Sequence, residues 1–269
     1  ADAVAGIYAA KGRPSFNPLI VHLPDADAAE EIAVFGPVAR ILAQHYWPGP
    51  LTLVVPLRPG ARIAGLVTAG LDTIALRVPR HRAMQALLRE TGLPLAAPSA
   101  NASGHISPTR AEHVFASLGG RIPLILDDGP TPAGVESTII APDPVPRLLR
   151  PGPIPREEIE EVVGRALGGA GPRIEAPGQM SSHYAPEKPL RLDALVPRPG
   201  EWMIGFGAVA GDDTLSATGD PVEAAARLFD ALHRADASGA HAIAVAPVPD
   251  AGIGAAINDR LRRAAHPRG

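Results

Sequence analysis

Short apolar runs bounded by proline or glycine alternate along most of the chain with longer segments whose apolar positions recur every three or four residues. The runs are rich in Val, Ile, Leu and Thr and predict strands over 19–23, 51–57, 73–78, 122–126 and 137–140. The helical spacing predicts helices over 38–45, 80–91, 109–118 and 156–167. Punctuation agrees with this reading. Gly92 and Gly119-Gly120 stand where helices end, Pro155 stands as a first helical residue, and Thr109 with Glu112 has the spacing of a capping box. Strands and helices that alternate in this way define an α/β fold. The order of strands in the sheet does not follow from spacing.

The pattern breaks at Gly168-Gly169-Ala170-Gly171-Pro172, and the stretch up to Pro189 is polar, proline-marked and without periodicity. The expected organisation is therefore a first domain over 1–167, a linker over 168–189 and a small α/β domain over 190–269. In the last of these, strands over 202–206 and 242–246 flank a helix with Asp220 as N-cap, Pro221 as first residue and Glu223 completing a capping box. Val222, Ala225, Ala226, Phe229 and Leu232 form its apolar stripe. A final helix over 255–264 carries Arg260, Arg262 and Arg263, read as solvated charges. The aromatic pair His183-Tyr184 is unusual for a passive spacer.

Composition narrows the function classes. The 269 residues include 25 basic and 28 acidic side chains, so no global basic field advertises nucleic acid binding. The absence of cysteine excludes disulfides, thiolate zinc sites and a cysteine nucleophile. No apolar run approaches the ~20 residues of a membrane span. There is also no Walker-type loop ending in Lys-Ser/Thr and no acidic cluster to cage a metal ion. The expected location is the cytoplasm.

Candidate chemistry concentrates in a few segments. Pro98 to Thr109 places Ser99, Asn101 and Ser103 on a strand-to-helix turn, where open backbone N–H groups favour an anion. Lys11-Gly12-Arg13-Pro14 sets a point charge and a planar fork of donors two residues apart, a pair able to clamp a polyphosphate. Arg77 is a charge within an otherwise apolar strand, so it faces solvent, finds a partner or lines a site. His22 stands in a similar position at the end of Leu19-Ile20-Val21.

These segments occur in a recognisable order with Trp47-Pro48-Gly49-Pro50-Leu51-Thr52, Glu136-Ser137-Thr138-Ile139 and Leu149-Arg150-Pro151-Gly152-Pro153. The set resembles the YrdC-like family, whose mark is a Lys-x-Arg plus Ser-x-Asn tetrad matched by Lys11, Arg13, Ser99 and Asn101. The stretch Pro177-Gly178-Gln179-Met180-Ser181-Ser182-His183-Tyr184-Ala185-Pro186 and the tail Gly252 to Arg260 are similar to the linker and end of its long, two-domain threonylcarbamoyl-AMP synthases.

The resemblance implies a twisted mixed sheet with surrounding helices, a small C-terminal α/β domain, and a linker lying over the active site as a lid. It implies synthesis of threonylcarbamoyl-AMP from L-threonine, bicarbonate and ATP with release of pyrophosphate. Mg2+ would travel with ATP, and a downstream transferase would use the product to modify tRNA. By the same resemblance Lys11, Arg13, Ser99 and Asn101 are the catalytic set. Asn17, Thr68, Ser107, Arg150 and Tyr184 join Arg13 and Ser99 as nucleotide contacts, and His22, Arg77 and Ser137 bind threonine. Family members carry a Pro-Thr-Asp/Glu-Thr-x-Tyr-Gly segment before this region. The chain opens at Ala1-Asp2-Ala3 without it, so either the numbering starts inside a longer polypeptide or that wall of the amino-acid site is missing. The alternative class is an RNA-binding module of the same fold, which would show salt-dependent affinity for RNA without ATP.

Overall fold

A computed structural model describes residues 1–266, so the last three positions of the expected third segment lie outside the described residues. The chain opens with α1 (Asp2–Lys11), β1 (Ile20–His22), α2 (Ala26–Ile32), α3 (Pro37–Tyr46), β2 (Leu51–Pro56) and α4 (Gly65–Thr68). It continues through β3 (Thr73–Arg77), α5 (Arg82–Thr91), β4 (Leu95–Ala96), α6 (Ala111–Leu118), β5 (Thr138–Ala141), β6 (Arg147–Arg150) and α7 (Arg156–Val163). The remainder is β7 (Leu190–Arg191), β8 (Glu201–Gly205), β9 (Asp213–Thr214), α8 (Pro221–Ala237), β10 (Ala242–Val245) and α9 (Gly254–Ala265).

These elements form two compact units that do not follow chain order. Ala1–Pro98 joins Glu136–Gln179, while Ser99–Val135 joins the chain from Met180 onward. The stretch expected as linker is therefore divided between them after Gln179.

The first unit holds a six-stranded sheet in the order β4-β1-β3-β2-β5-β6. It is mixed: β1 runs parallel to β3, β2 antiparallel to β3 and parallel to β5. Alternation along each strand divides the side chains between two faces. Val21, Leu51, Leu53, Val55, Ile74, Leu76 and Ile140 pack against Ala29, Ile32, Ala39, Leu42 and Ile159 of the covering helices. The opposite face carries a smaller apolar cluster of Ile20, Val54, Ala75, Ile139 and Leu149, closed by Ala176.

The second unit holds a four-stranded parallel sheet in the order β7-β10-β8-β9. Its core is built on α8, from which Ala224, Ala225, Leu228, Phe229, Ala231, Leu232 and Ala235 are buried. Ile106, Val135 and Tyr184 join the same cluster.

Several expectations need correction. No strand forms over 122–126: Pro123 lacks an N–H to donate to a ladder, and Leu124 and Leu126 stay exposed with no pairing partner. α6 begins at Ala111, and the Thr109/Glu112 capping box is not made. The Thr109 N–H instead donates to His113 Nδ1 at 3.3 Å, so a ring nitrogen occupies the place expected of a carboxylate. α7 stops at Gly164 in the left-handed region, short of the expected end, and Pro155 is its N-cap rather than its first residue. Asp220 caps α8 as expected, accepting from Val222 N at 2.8 Å, but Glu223 reaches Asp220 only through Ser216. Val222 is exposed and lies off the buried stripe. Arg260 is not solvated: it is fully buried, with its guanidinium 5.3 Å from the centre of the Tyr184 ring. Arg263 donates to Met180 O at 2.7 Å.

A pair of histidines sets an acid limit on the second unit. His113 on α6 and His233 on α8 stack with ring centres 3.8 Å apart. Burial, and then His113, push the His233 pKa down to about 4 against the opposing Ser107 carbonyl, Asp230 and Asp236. Burial lowers His113 as well, against Asp230, with Arg110, Glu112 and Arg234 also facing it. Because the unfolded chain takes up these protons near pH 6.5, stability is present above that pH and is lost as pH falls toward 4. The expected result is a melting temperature that drops by several degrees over this window, with a flatter profile in His233→Gln. Thermal melts recorded across the window check it, and identical profiles would refute the assignment.

Candidate functional site

The mixed topology of the first sheet brings four polar side chains together. β1 and β3 are parallel, so His22 and Arg77 stand side by side at their carboxyl ends. β2 runs antiparallel to β3 and parallel to β5, which puts Thr52 and Ser137 at that same end, where their strands begin. The period of two completes the placement. His22 shares a face with Ile20, Arg77 with Ala75, Thr52 with Val54 and Ser137 with Ile139, which is the face of the smaller apolar cluster.

Arg150, at the end of β6, reaches into this group. Its Nε and Nη2 donate to Ser137 O at 3.2 and 2.9 Å, Nη2 donates to Ser137 Oγ at 3.1 Å, and Nη1 donates to Pro177 O. The turn that follows is possible because Gly152 lies against β5: a Cβ there would sit 2.3 Å from Thr138 N. Ser137 Oγ also lies 2.7 Å from Thr52 Oγ1. Thr52 is the member that sequence reasoning did not single out. Its signal was available, since it is the polar residue at an inward position of an apolar strand.

The electrostatics of the group are one-sided. Arg77 donates Nε to Gly49 O at 3.1 Å, and its two terminal nitrogens make no further hydrogen bond among the described residues. Burial, and then the nearby Arg150, push its pKa down to about 10. Burial and Arg77 also hold His22 down at about 4, so it is a neutral ring whose Nδ1 donates to Leu95 O. The result is a half-buried guanidinium with unspent donors, a second guanidinium, an uncharged imidazole and a buried hydroxyl. Such a set suits a small carboxylate or another oxyanion.

Lys11, Arg13, Asn17 and Thr68 gather at the opposite end of β1 and β3, on the segments that precede those strands. Arg13 organises its own loop, donating to Asn17 O, Asn17 Oδ1 and Pro18 O at 3.1, 2.7 and 2.7 Å. The Tyr8 hydroxyl lies 2.9 Å from both Asn17 O and Leu66 O, joining this loop to α4. Thr68 Oγ1 donates to Gly65 O. Lys11 is buried, and burial together with Arg13 lowers its pKa to about 7.

Ser99, Asn101, Ser107 and Tyr184 belong to the second unit. Asn101 knits its loop, accepting from Ser99 Oγ at 2.7 Å and donating to His105 O and Ile106 O at 2.9 and 3.0 Å. Ser107 is held through its carbonyl by His233 Nε2 at 3.1 Å. The Ala185 N–H donates to Gly104 O at 2.9 Å, which ties this loop to the segment carrying His183 and Tyr184. Tyr184 is itself buried, with φ 62 and its ring 5.5 Å from Phe229. Among the described residues no group of three or more His, Cys, Asp or Glu could hold a metal ion, and no helix is long and apolar enough to cross a membrane.

Comparison with known proteins agrees with this architecture. Residues 1–152 match the family model described as telomere recombination, covering Sua5, YciO and YrdC. Residues 154–266 match the model of the threonylcarbamoyl-AMP synthase C-terminal domain. The threonylcarbamoyl-AMP synthase of Bacillus subtilis is 43% identical, over 98% of this chain and 84% of the relative. That of Pyrococcus abyssi is 39% identical at the same coverage. The crystal structure of P. abyssi Sua5 complexed with L-threonine superposes with a TM-score of 0.88 at 38% identity, over 98% of this chain and 84% of that one. The class is that of YrdC-type α/β proteins extended by a second α/β domain. The chain belongs to the threonylcarbamoyl-AMP synthase family.

A half-buried cation without an anion costs some stability, and replacing it by an apolar side chain of similar length relieves that cost. Arg77→Met is therefore expected to raise the ligand-free melting temperature by ~2–4 °C, the shift for about 1 kcal/mol in a protein of this size. A lowered melting temperature in calorimetry would show that Arg77 is already neutralised within the protein.

Proposed function

We infer that the protein joins L-threonine, bicarbonate and ATP into threonylcarbamoyl-AMP and releases pyrophosphate. The observation that carries the reading is the Arg77 guanidinium, held with unspent donors beside neutral His22, Ser137 and Arg150 in a chain of this family. Threonine offers a carboxylate to that group. Its ammonium and bicarbonate condense to a carbamate with loss of one water and one proton. A carbamate oxygen then attacks the α-phosphorus and pyrophosphate leaves. Such a transfer is chiefly a matter of position and of neutralising phosphate charge.

Lys11 and Arg13 take the phosphate charge, and Ser99 and Asn101 hold the α-phosphate or the bound carbonate. Asn17, Thr68, Ser107, Arg150 and Tyr184 contact the nucleotide, Arg150 also positioning Ser137. Magnesium would travel with ATP and supply charge neutralisation at the phosphates. The reaction belongs in the cytoplasm, and the product passes to a transferase that places the threonylcarbamoyl group on tRNA. The expected organisation of 1–167, 168–189 and 190–269, with the linker as a lid, stands as part of this proposal.

The test is pyrophosphate release from ATP with L-threonine and bicarbonate present together or singly. Release is expected only with both, and to fall by at least ~100-fold in Lys11→Ala and Arg13→Ala, as for other lost charge contacts in phosphoryl transfer. No release with all three substrates, together with salt-dependent RNA affinity in the absence of ATP, would favour the binding module instead.

Lys11 makes a second prediction. With a pKa near 7 it is partly neutral in the free protein, and a bound phosphate restores its charge. ATP binding is therefore expected to take up a proton, and affinity to fall as pH rises above that value. Calorimetry in buffers of different ionisation enthalpy reads the uptake directly. Its persistence in Lys11→Met would assign the proton elsewhere.

A further inference from the structure

Thr52 and Ser137 form a two-hydroxyl pair whose proton count does not close. Thr52 is fully buried on β2, Ser137 is almost so, and their oxygens are 2.7 Å apart. Each hydroxyl has one proton and two lone pairs. Arg150 has only donors, so its Nη2 at 3.1 Å occupies one lone pair of Ser137 Oγ. The Oγ–Oγ contact uses a single proton. Neither side chain makes any other hydrogen bond among the described residues, so one of the two protons is left without an acceptor there.

Which proton is left over depends on the direction of that contact. If Ser137 donates to Thr52, the spare proton sits on Thr52, sealed inside the sheet. If Thr52 donates to Ser137, both lone pairs of Ser137 Oγ are filled by donors, and its own proton is free to leave the pair. An oxyanion held by Arg77 beside Ser137 can accept only in the second arrangement. It would find there a hydroxyl polarised by two donors.

We propose that Thr52 is a positioning residue for the amino-acid substrate: by donating to Ser137 Oγ it commits the Ser137 hydroxyl to donate to the bound carboxylate. The proposal rests on the reading that Ser137 lines the threonine pocket. Thr52 touches no substrate atom. It works by removing the freedom of Ser137 to be anything but a donor, and it leaves the nucleotide end of the site alone.

The test uses the full chain with Thr52→Val, Thr52→Ser, Ser137→Ala and the Thr52→Val/Ser137→Ala double variant. L-threonine affinity is measured by calorimetry, and KM for L-threonine and for ATP by pyrophosphate release. Valine has nearly the shape of threonine without the hydroxyl. Thr52→Val is expected to weaken L-threonine binding by ~10-fold, the scale of one hydrogen bond to a charged group, and to leave KM for ATP unchanged. Its ligand-free melting temperature should fall by no more than the ~2–4 °C of one lost hydrogen bond, because the Ser137 proton lacks an acceptor with or without the Thr52 hydroxyl. Thr52→Ser should restore binding, and the double variant should bind no worse than Ser137→Ala alone.

Normal L-threonine affinity in Thr52→Val, with affinity lost in Ser137→Ala, would overturn the proposal while leaving the pocket in place. Normal affinity in Ser137→Ala would overturn the pocket reading itself. Equal rises in both KM values, with a melting temperature lowered beyond that margin, would make Thr52 a packing residue and overturn the proposal as well. Should Thr52→Val not fold, Thr52→Cys keeps the test open: its weak thiol donor should give an intermediate loss, and full affinity would count against the proposal.

Discussion

Arg77 puts a permanent charge at the end of a strand whose other inward neighbours are apolar, and its terminal nitrogens are left unspent. A guanidinium in that position is tolerated only if the surroundings hold it firmly and do not compete for its donors. The Trp47 to Thr52 segment supplies the hold. Gly49 accepts from Arg77 Nε and donates to Val78 O, while Trp47 Nε1 donates to Leu51 O and so steadies the approach to β2. Arg150 adds a second positive charge nearby, and His22 is kept neutral by burial and by Arg77. Each of these choices costs stability, and each would favour an anion placed against the group. That is the usual sign of a preorganised site rather than of a structural ion pair.

The same logic governs the loops. Arg13 and Asn101 both spend hydrogen bonds on their own segments: Arg13 on Asn17 and Pro18, Asn101 on Ser99, His105 and Ile106. In a loop without regular secondary structure these bonds replace the ladder that a strand would provide. Side chains that resemble family ligand contacts are thus also the scaffolding of their loops. Loss of either side chain acts twice, on charge or hydrogen bonding and on loop order, so single substitutions there report a sum of two effects.

How much of this was legible in the sequence depends on whether a feature is local. The strands at Ile20, Leu51, Thr73 and Thr138, and the helix capped by Asp220, announce themselves through short-range apolar patterns and caps. α1 did not, because its stripe is a single turn of Val4, Ile7 and Tyr8, only partly buried, set among alanines and a glycine. The run over 122–126 has a strand's composition, but nothing pairs with it, and pairing is a property of the whole sheet. Capping boxes failed where a third side chain intervened, His113 at α6 and Ser216 at α8. Arg260 looked like its exposed neighbour Arg262, since nothing local reveals that Tyr184 would cover it. Thr52 did carry a local signal, a polar residue in an apolar strand, but its partner lies 85 positions away.

The second unit shows what that non-local bonding implies for the segment around Tyr184. Tyr184 is not a free flap: its ring packs against Phe229 and under the Arg260 guanidinium, and its φ of 62 is one that a non-glycine residue keeps only when its surroundings enforce it. The next residue, Ala185, is bonded to Gly104, in the loop that Asn101 organises and that His233 holds at Ser107. Any displacement of Tyr184 must therefore break the ring stack and the Ala185–Gly104 bond together, or carry the Ser99 loop, α8 and α9 along with it. The first course exposes a buried aromatic ring and a guanidinium at once, whereas the second preserves every contact. If the 180–186 segment gates anything, it does so as one body with the loop of Ser99 and Asn101, and the histidine pair beneath that loop belongs to the moving part.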